Sequence, residues 1–100
     1  MKNRLTNITR KAVYRRDGYQ CAICGGTRTL QIHHYIPRGK GGTDSMHNLI
    51  TLCDCCHAMA HGINLLGYED LSQEDIEQLI CEYLADTYAG NWRPWGLGMP

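Results

Sequence analysis

Nothing in this 100-residue chain is both long and apolar enough to cross a bilayer. The start, MKNRLTNITRKAV, also lacks the uninterrupted apolar run of a secretory signal. Repeats and low-complexity segments are missing as well. These absences argue against a membrane protein or a secreted disulfide scaffold, and point to one domain, residues 1–100, in a reducing compartment. Charge of one sign is scarce in each part of the chain. Residues 1–40 hold one acid, Asp17, against Lys2, Arg4, Arg10, Lys11, Arg15, Arg16, Arg28, Arg38 and Lys40. Residues 41–100 hold one base, Arg93, so a net charge of zero hides a basic first part and an acidic second part. A polyanion is drawn to the first and repelled by the second. The plainer reading of such a block is a solvated face.

What the chain does have is six cysteines, four of them in two knuckles, Cys21-x-x-Cys24 and Cys53-x-x-Cys56. Without a secretory signal, paired C-x-x-C spacing reads as a tetrahedral structural zinc site. A small chain buries limited apolar surface, and such a site can contribute on the order of 10 kcal/mol to folding. Cys55 is an ambiguity, since it could stand in for Cys56, but the C-x-x-C spacing favours Cys56. Cys81 reads as a core thiol.

Helical pattern runs from Thr9, as the start, through Arg10–Arg16 to a stop at Asp17-Gly18, with Ala12, Val13 and Tyr14 inward. Arg10, Lys11, Arg15 and Arg16 are then left for solvent or phosphate. Leu30 to Tyr35 reads as a strand, Pro37 and Gly39–Gly42 as a loop, and Asn48 to Leu52 as a return strand. Asp54 is the expected cap of a short helix, Cys55–His61, ended by Gly62. Ser72-x-x-Asp75 opens an acidic amphipathic helix, 72–88, with Ile76, Leu79, Ile80, Tyr83, Leu84 and Tyr88 as its core stripe. Its acidic outer face places it away from any nucleic acid. The tail, 91–100, with Trp92, Pro94 and Trp95, is ambiguous.

His57 and His61 are four apart and project from one helical face, so they can share a metal. His33 ends the first strand and is a third imidazole; three leave a coordination position open. His34 remains as an imidazole suited to take a proton from water. Strand alternation sends His33 and His34 to opposite faces, so their convergence needs a bend at the strand end. Asn48 offers two donors and an acceptor with which to hold a loop. His47 reads as a surface or loop residue, and Tyr14, Tyr19 and Tyr35 as packing.

Cys-x-x-Cys, His-His, Gly-Gly, Asn-Leu and Leu-Cys-x-x-Cys-His-x-x-x-His, in that order over about residues 10–62, resemble the zinc-knuckle branch of the HNH endonucleases. The resemblance implies an α+β fold: a zinc-stabilised ββα-metal (His-Me finger) core between an N-terminal basic helix and a C-terminal acidic helix. It implies His34 as general base and Asn48 as brace of the loop carrying it. His57 would be a ligand of a catalytic divalent metal, with His33 standing where the family has an Asp or His ligand. His61 matches the extra histidine of colicin-type members. The implied activity is metal-dependent hydrolysis of DNA, with RNA also open as substrate, to 5′-phosphate and 3′-hydroxyl ends. Three imidazoles suit manganese, nickel or zinc somewhat better than magnesium. Arg15, Arg16, Arg38 and Lys40 are the candidate backbone contacts. A monomer or a homodimer and little sequence preference complete the expectation, and the resemblance implies a prokaryotic or phage source and a cytoplasmic location. The rival is a non-catalytic zinc-stabilised module that binds nucleic acid with structural histidines.

Overall fold

The computed structural model describes residues 5–63 and 72–94. Helix α1 spans Asn7–Arg16, and its N-cap is Thr6, whose hydroxyl accepts the Thr9 N–H at 3.1 Å. The helix therefore begins before Thr9, which supplies the N–H being capped rather than the cap. Val13 is buried, while Ala12 and Tyr14 are half-buried. A basic helix with so thin an apolar stripe needs another anchor, and it has one at its C-terminal end.

That anchor is Asp17, a buried carboxylate rather than the simple stop read from the sequence. Its Oδ1 accepts from Arg16 Nε at 2.8 Å and from the Tyr83 hydroxyl at 2.7 Å. Its Oδ2 accepts from Arg16 Nη2 at 3.0 Å and from the Thr51 backbone N–H at 2.9 Å. Arg16 also donates to the carbonyls of Met46 and Leu49 and to the Tyr88 hydroxyl. The pair is nearly solvent-free, at 12% and 0% side-chain exposure. Arg16 thus turns inward and does not face phosphate, contrary to the expectation from its charge block: its donors are consumed by a buried acid and two carbonyls.

Strands β1 (Gln31–His34) and β2 (Leu49–Leu52) pair antiparallel, with Gln31 opposite Leu52, His33 opposite Ile50 and His34 opposite Leu49. Both are shorter than their sequence patterns. Thr29, at φ 51°, turns the chain before Leu30, and Asn48 belongs to a 3-10 turn, Met46–Asn48, that feeds β2. Every residue of β2 is buried, because the strand is covered on both faces. Ile50 and Leu52 join Met59, Ile76, Ile80 and Leu84 in one apolar cluster. The period of two puts Leu49 and Thr51 on the other face, where α1 packs.

Helix α2 spans Asp54–Ala60 and is capped by Cys53, whose sulfur accepts the Cys56 N–H at 3.5 Å. The expected cap, Asp54, instead lies in the first turn and accepts the Cys55 N–H. His61 is the C-cap, not the last helical residue. Helix α3, Gln73–Tyr88, has the Ser72–Asp75 capping box read from the sequence. It packs on α2 through Ile76, Ile80 and Leu84, but Leu79 is 41% exposed and leaves the expected stripe. The pattern β1–β2–α2, flanked by α1 and α3, is an α+β ββα core.

His47 is more than a loop residue. It stacks on Tyr88 at 3.8 Å, and its carbonyl and Nδ1 accept from Trp92 Nε1 and the Arg93 N–H. Of the tail, residues 91–94 are thus tied to the 3-10 turn before β2, with Pro94 buried; Trp95 lies outside the described residues. No described helix is long and apolar enough to cross a membrane.

Asp17→Ala should leave the Arg16 guanidinium buried without its acid, which typically costs about 3–5 kcal/mol. For a chain of this size the melting temperature should fall by well over ~10 °C. Chemical denaturation of the metal-loaded protein measures it; a loss below ~1 kcal/mol would show that the pair is not the anchor.

Candidate metal centre and its cleft

Two separate sets of metal-binding side chains come together among the described residues: Cys21, Cys24, Cys53 and Cys56, and His33, His57 and His61. In each set the donor atoms lie within 4.8 Å of one another. All six cysteines are free thiols, and Cys55 and Cys81 stay outside the cluster, so the choice between Cys55 and Cys56 falls to Cys56.

The sulfur set is built by turns. The first knuckle closes through Gly25 N–H to Cys21 O at 2.9 Å and Cys21 N–H to Gly26 O at 2.7 Å. Ala22 N–H to Thr51 O at 2.9 Å fastens it to β2. The second knuckle is the first turn of α2. Sulfurs around a tetrahedral zinc stand about 3.8 Å apart, given Zn–S bonds of about 2.3 Å; Cys24 Sγ and Cys53 Sγ are 3.6 Å apart. Burial pushes the Cys21 thiol up, but the N–H groups of Cys24, Cys53 and Ile23 directed at it outweigh that and bring it below the usual thiol value. Burial, then the neighbouring Cys21 and Cys53, push Cys56 strongly up. Four crowded sulfurs resist ionising together unless a cation shares their charge, so the donor set fits a structural zinc.

The imidazole set sits where β1 meets α2. His57 and His61 are one turn apart, with their Nε2 atoms 3.2 Å from each other. Two imidazole ligands of a tetrahedral ion place their nitrogens about 3.3 Å apart. His33 is buried and meets both rings edge-on, with centroids at 5.1 and 5.2 Å. Burial, then the neighbouring His57, His61 and His34, push His33 down to about 3. Burial and His61 likewise lower His57. His33 and His57 are thereby held toward the neutral form, whose lone pair a divalent cation requires.

Gln31, which the sequence reading passed over, fixes the tautomer. Its carbonyl Oε1 contacts His57 Nδ1. A carbonyl only accepts, so Nδ1 carries the proton and the Nε2 lone pair points at the cluster. Gln31 and His33 are two apart on β1 and so share a face; that alternation was the available signal.

His34 faces away from His33 along the strand, yet both line one cleft with Ile32, Pro37, Arg38, His57 and His61. The chain leaves the ladder right after His34, so the cleft wraps round the end of β1. His34 Nε2 lies 2.8 Å from Asp44 Oδ1. Asp44 is gripped by Arg38 through Nε at 3.0 Å and Nη2 at 3.2 Å. Burial pushes the Asp44 carboxyl up, but the hydrogen bonds from Arg38 and His34 outweigh it and hold the group below its usual value.

Asn48 is fully buried and holds the loop that carries these groups. Its Oδ1 accepts the Ile36 N–H at 2.7 Å, and its Nδ2 donates to Ile36 O at 3.0 Å and Thr43 O at 2.9 Å. Gly42 closes the same loop against the strand end: a Cβ there would stand 1.7 Å from Ile36 O. Of the four candidate phosphate contacts, Arg15 and Lys40 are exposed, Arg38 lies on the cleft bound to Asp44, and Arg16 is internal.

A family model described as HNH endonuclease matches residues 21–62, the stretch that holds both clusters. Over 52 residues the chain is 36% identical to Anaredoxin of Nostoc sp. (strain PCC 7120 / SAG 25.82 / UTEX 2576), covering 51% of this chain and 68% of that protein. It is 37% identical over 68 residues to the type IV methyl-directed restriction enzyme EcoKMcrA of Escherichia coli (strain K12), covering 59% of this chain but 22% of the enzyme. The fold is similar to that of the type IV phosphorothioation-dependent restriction endonuclease ScoMcrA, with a TM-score of 0.62 and 24% identity over 87% of this chain and 17% of that one. With its knuckles, paired histidines, asparagine and ββα core in the matched order, the chain belongs to the HNH endonuclease family.

Proposed function

We propose that the chain is a metal-dependent DNA endonuclease that hydrolyses phosphodiester bonds to 5′-phosphate and 3′-hydroxyl ends. The observation that carries this reading is the placement of His34 on the same cleft as a three-imidazole cluster that shares no residue with the sulfur cluster. A purely structural zinc protein has no use for a second, half-open set of nitrogen donors beside an unligated imidazole. Its relative EcoKMcrA, named as a methyl-directed restriction enzyme, supports DNA as the substrate.

In this reading Cys21, Cys24, Cys53 and Cys56 hold a structural zinc, and His33, His57 and His61 hold the catalytic ion. A divalent ion such as Mn2+, Ni2+, Mg2+ or Zn2+, when bound there, neutralises charge on the scissile phosphate and on the leaving 3′ oxygen. His34 takes the proton of the attacking water. Asn48 keeps loop 36–43, and hence the neighbours of His34, in place. Arg15 and Lys40 are free to meet the DNA backbone, which gives affinity without sequence.

Metal analysis should find one tightly held zinc and one exchangeable ion per chain. Cys53→Ser should lower the melting temperature sharply, because it removes a zinc ligand while a serine hydroxyl can still cap α2. Supercoiled plasmid with Mn2+, Ni2+ or Mg2+ should be nicked or cut, and chelator should stop it. His34→Ala should fold, keep both ions and lose about 10² to 10⁴ in rate. Cleavage equal to wild type would remove His34 as base, and no cleavage by wild type with any of these ions would favour the nucleic-acid-binding module instead. Gln31→Ala should weaken the exchangeable ion about 10–100-fold while leaving the zinc untouched; an unchanged Mn2+ titration would count against the tautomer argument.

A further inference from the structure

Beside the cleft a carboxylate, Asp44, and a cleft-lining guanidinium, Arg38, are left without a role by the reading above, although the carboxylate touches the proposed base. We propose that Asp44, clamped by Arg38, is the positioning residue for His34: it keeps the imidazole proton on Nε2 and so presents Nδ1 as the nitrogen that accepts the water's proton. The inference rests on the nuclease reading and adds to it which nitrogen reacts and what holds it.

Asp44 Oδ1 lies 2.8 Å from His34 Nε2 and also accepts from Arg38 Nε at 3.0 Å. An ionised carboxylate only accepts, so the proton between it and the ring sits on Nε2. A neutral imidazole carries one proton, which leaves the lone pair on Nδ1. Among the described residues no hydrogen bond engages that nitrogen. The second carboxylate oxygen accepts from Arg38 Nη2 at 3.2 Å, so the two-point grip stops the carboxylate from rotating away from the ring. The acid itself is 40% exposed, so its interaction with Arg38 does little for folding. Orientation is what the arrangement supplies.

The chemistry balances without another reagent. The water O–H bond breaks and its proton passes to Nδ1. The oxygen's electron pair forms the new bond to phosphorus, the bond from phosphorus to the 3′ oxygen breaks, and that oxygen takes a proton from bulk water. The imidazolium then returns its proton to solvent. Asp44 stabilises the imidazolium while it exists, as the buried acid of a serine-protease triad does for its histidine.

The test has a spectroscopic and a kinetic arm, both on the full chain loaded with zinc and Mn2+. In mildly alkaline buffer, 15N spectra of histidine-labelled protein, with His34 assigned by its loss in His34→Ala, should show a pyrrole-like Nε2 and a pyridine-like Nδ1. Asp44→Asn, whose amide can donate as well as accept, should give a mixture of tautomers. On supercoiled plasmid with Mn2+, Asp44→Asn should lower kcat by about 10² to 10⁴ with KM and Mn2+ affinity unchanged. Arg38→Gln, which leaves the acid but frees it to rotate, should cause a smaller loss of kcat. The proposal is overturned by an Nδ1–H tautomer in the wild type, or by an Asp44→Asn protein that cuts like wild type. A loss confined to KM or to thermal stability would overturn it too. A wild type with the Nε2–H tautomer that cuts no DNA would instead sink the nuclease reading, and with it the catalytic consequence drawn here.

Discussion

The start of α2 sets the phase of everything that follows it. Cys53 belongs to the sulfur cluster and also caps the helix, so the same atom that can bind zinc accepts the Cys56 N–H. From that fixed origin the helical period places His57 one turn on and His61 a further turn on, both on the face that meets β1. The two clusters are therefore mechanically joined although they share no ligand. A slip of one residue at the knuckle would rotate the imidazoles by about 100° and carry them off His33.

The second constraint is the pairing of β1 with β2. Its register puts His33 opposite Ile50, on the face packed against α2 and α3, and His34 opposite Leu49, on the other face. A strand that ran on would separate the two histidines for good. It ends at His34, and the following loop, held by Asn48 and closed by Gly42, folds back to bring Asp44 and Arg38 to the imidazole. The short ladder is thus a requirement of the cleft. The Asp17–Arg16 pair supports it from behind by holding Thr51 and Leu49 of β2 to the end of α1.

Much of this was legible in the chain, and the legible part is local. The knuckle spacing, the i, i+4 histidines and the Ser72–Asp75 box each encode their geometry within a few residues, and each has its counterpart in the structure. What the pattern missed depends on partners distant in sequence. Arg16 looks like a surface charge until Met46, Leu49 and Tyr88 are brought to it. Leu79 fits the helical stripe but stays 41% exposed. Gln31 and Asp44 carry no motif of their own and matter through what they touch, His57 and His34. Thr9 lost the cap position to Thr6 for a smaller reason: two threonines three apart compete, and the hydroxyl of the earlier one reaches forward to the later N–H.

The closed neck of loop 36–43 has an architectural corollary. At Gly42 even a methyl group would collide with the main chain, whereas Gly39 at the tip has open space around it; Gly41 has space too but sits at φ 91°, which glycine alone adopts without strain. Change is thereby channelled to the position of Gly39, while Gly41 and Gly42 hold the backbone of the loop. A side chain added there would reshape the tip without touching the Asn48 bonds that seal the neck.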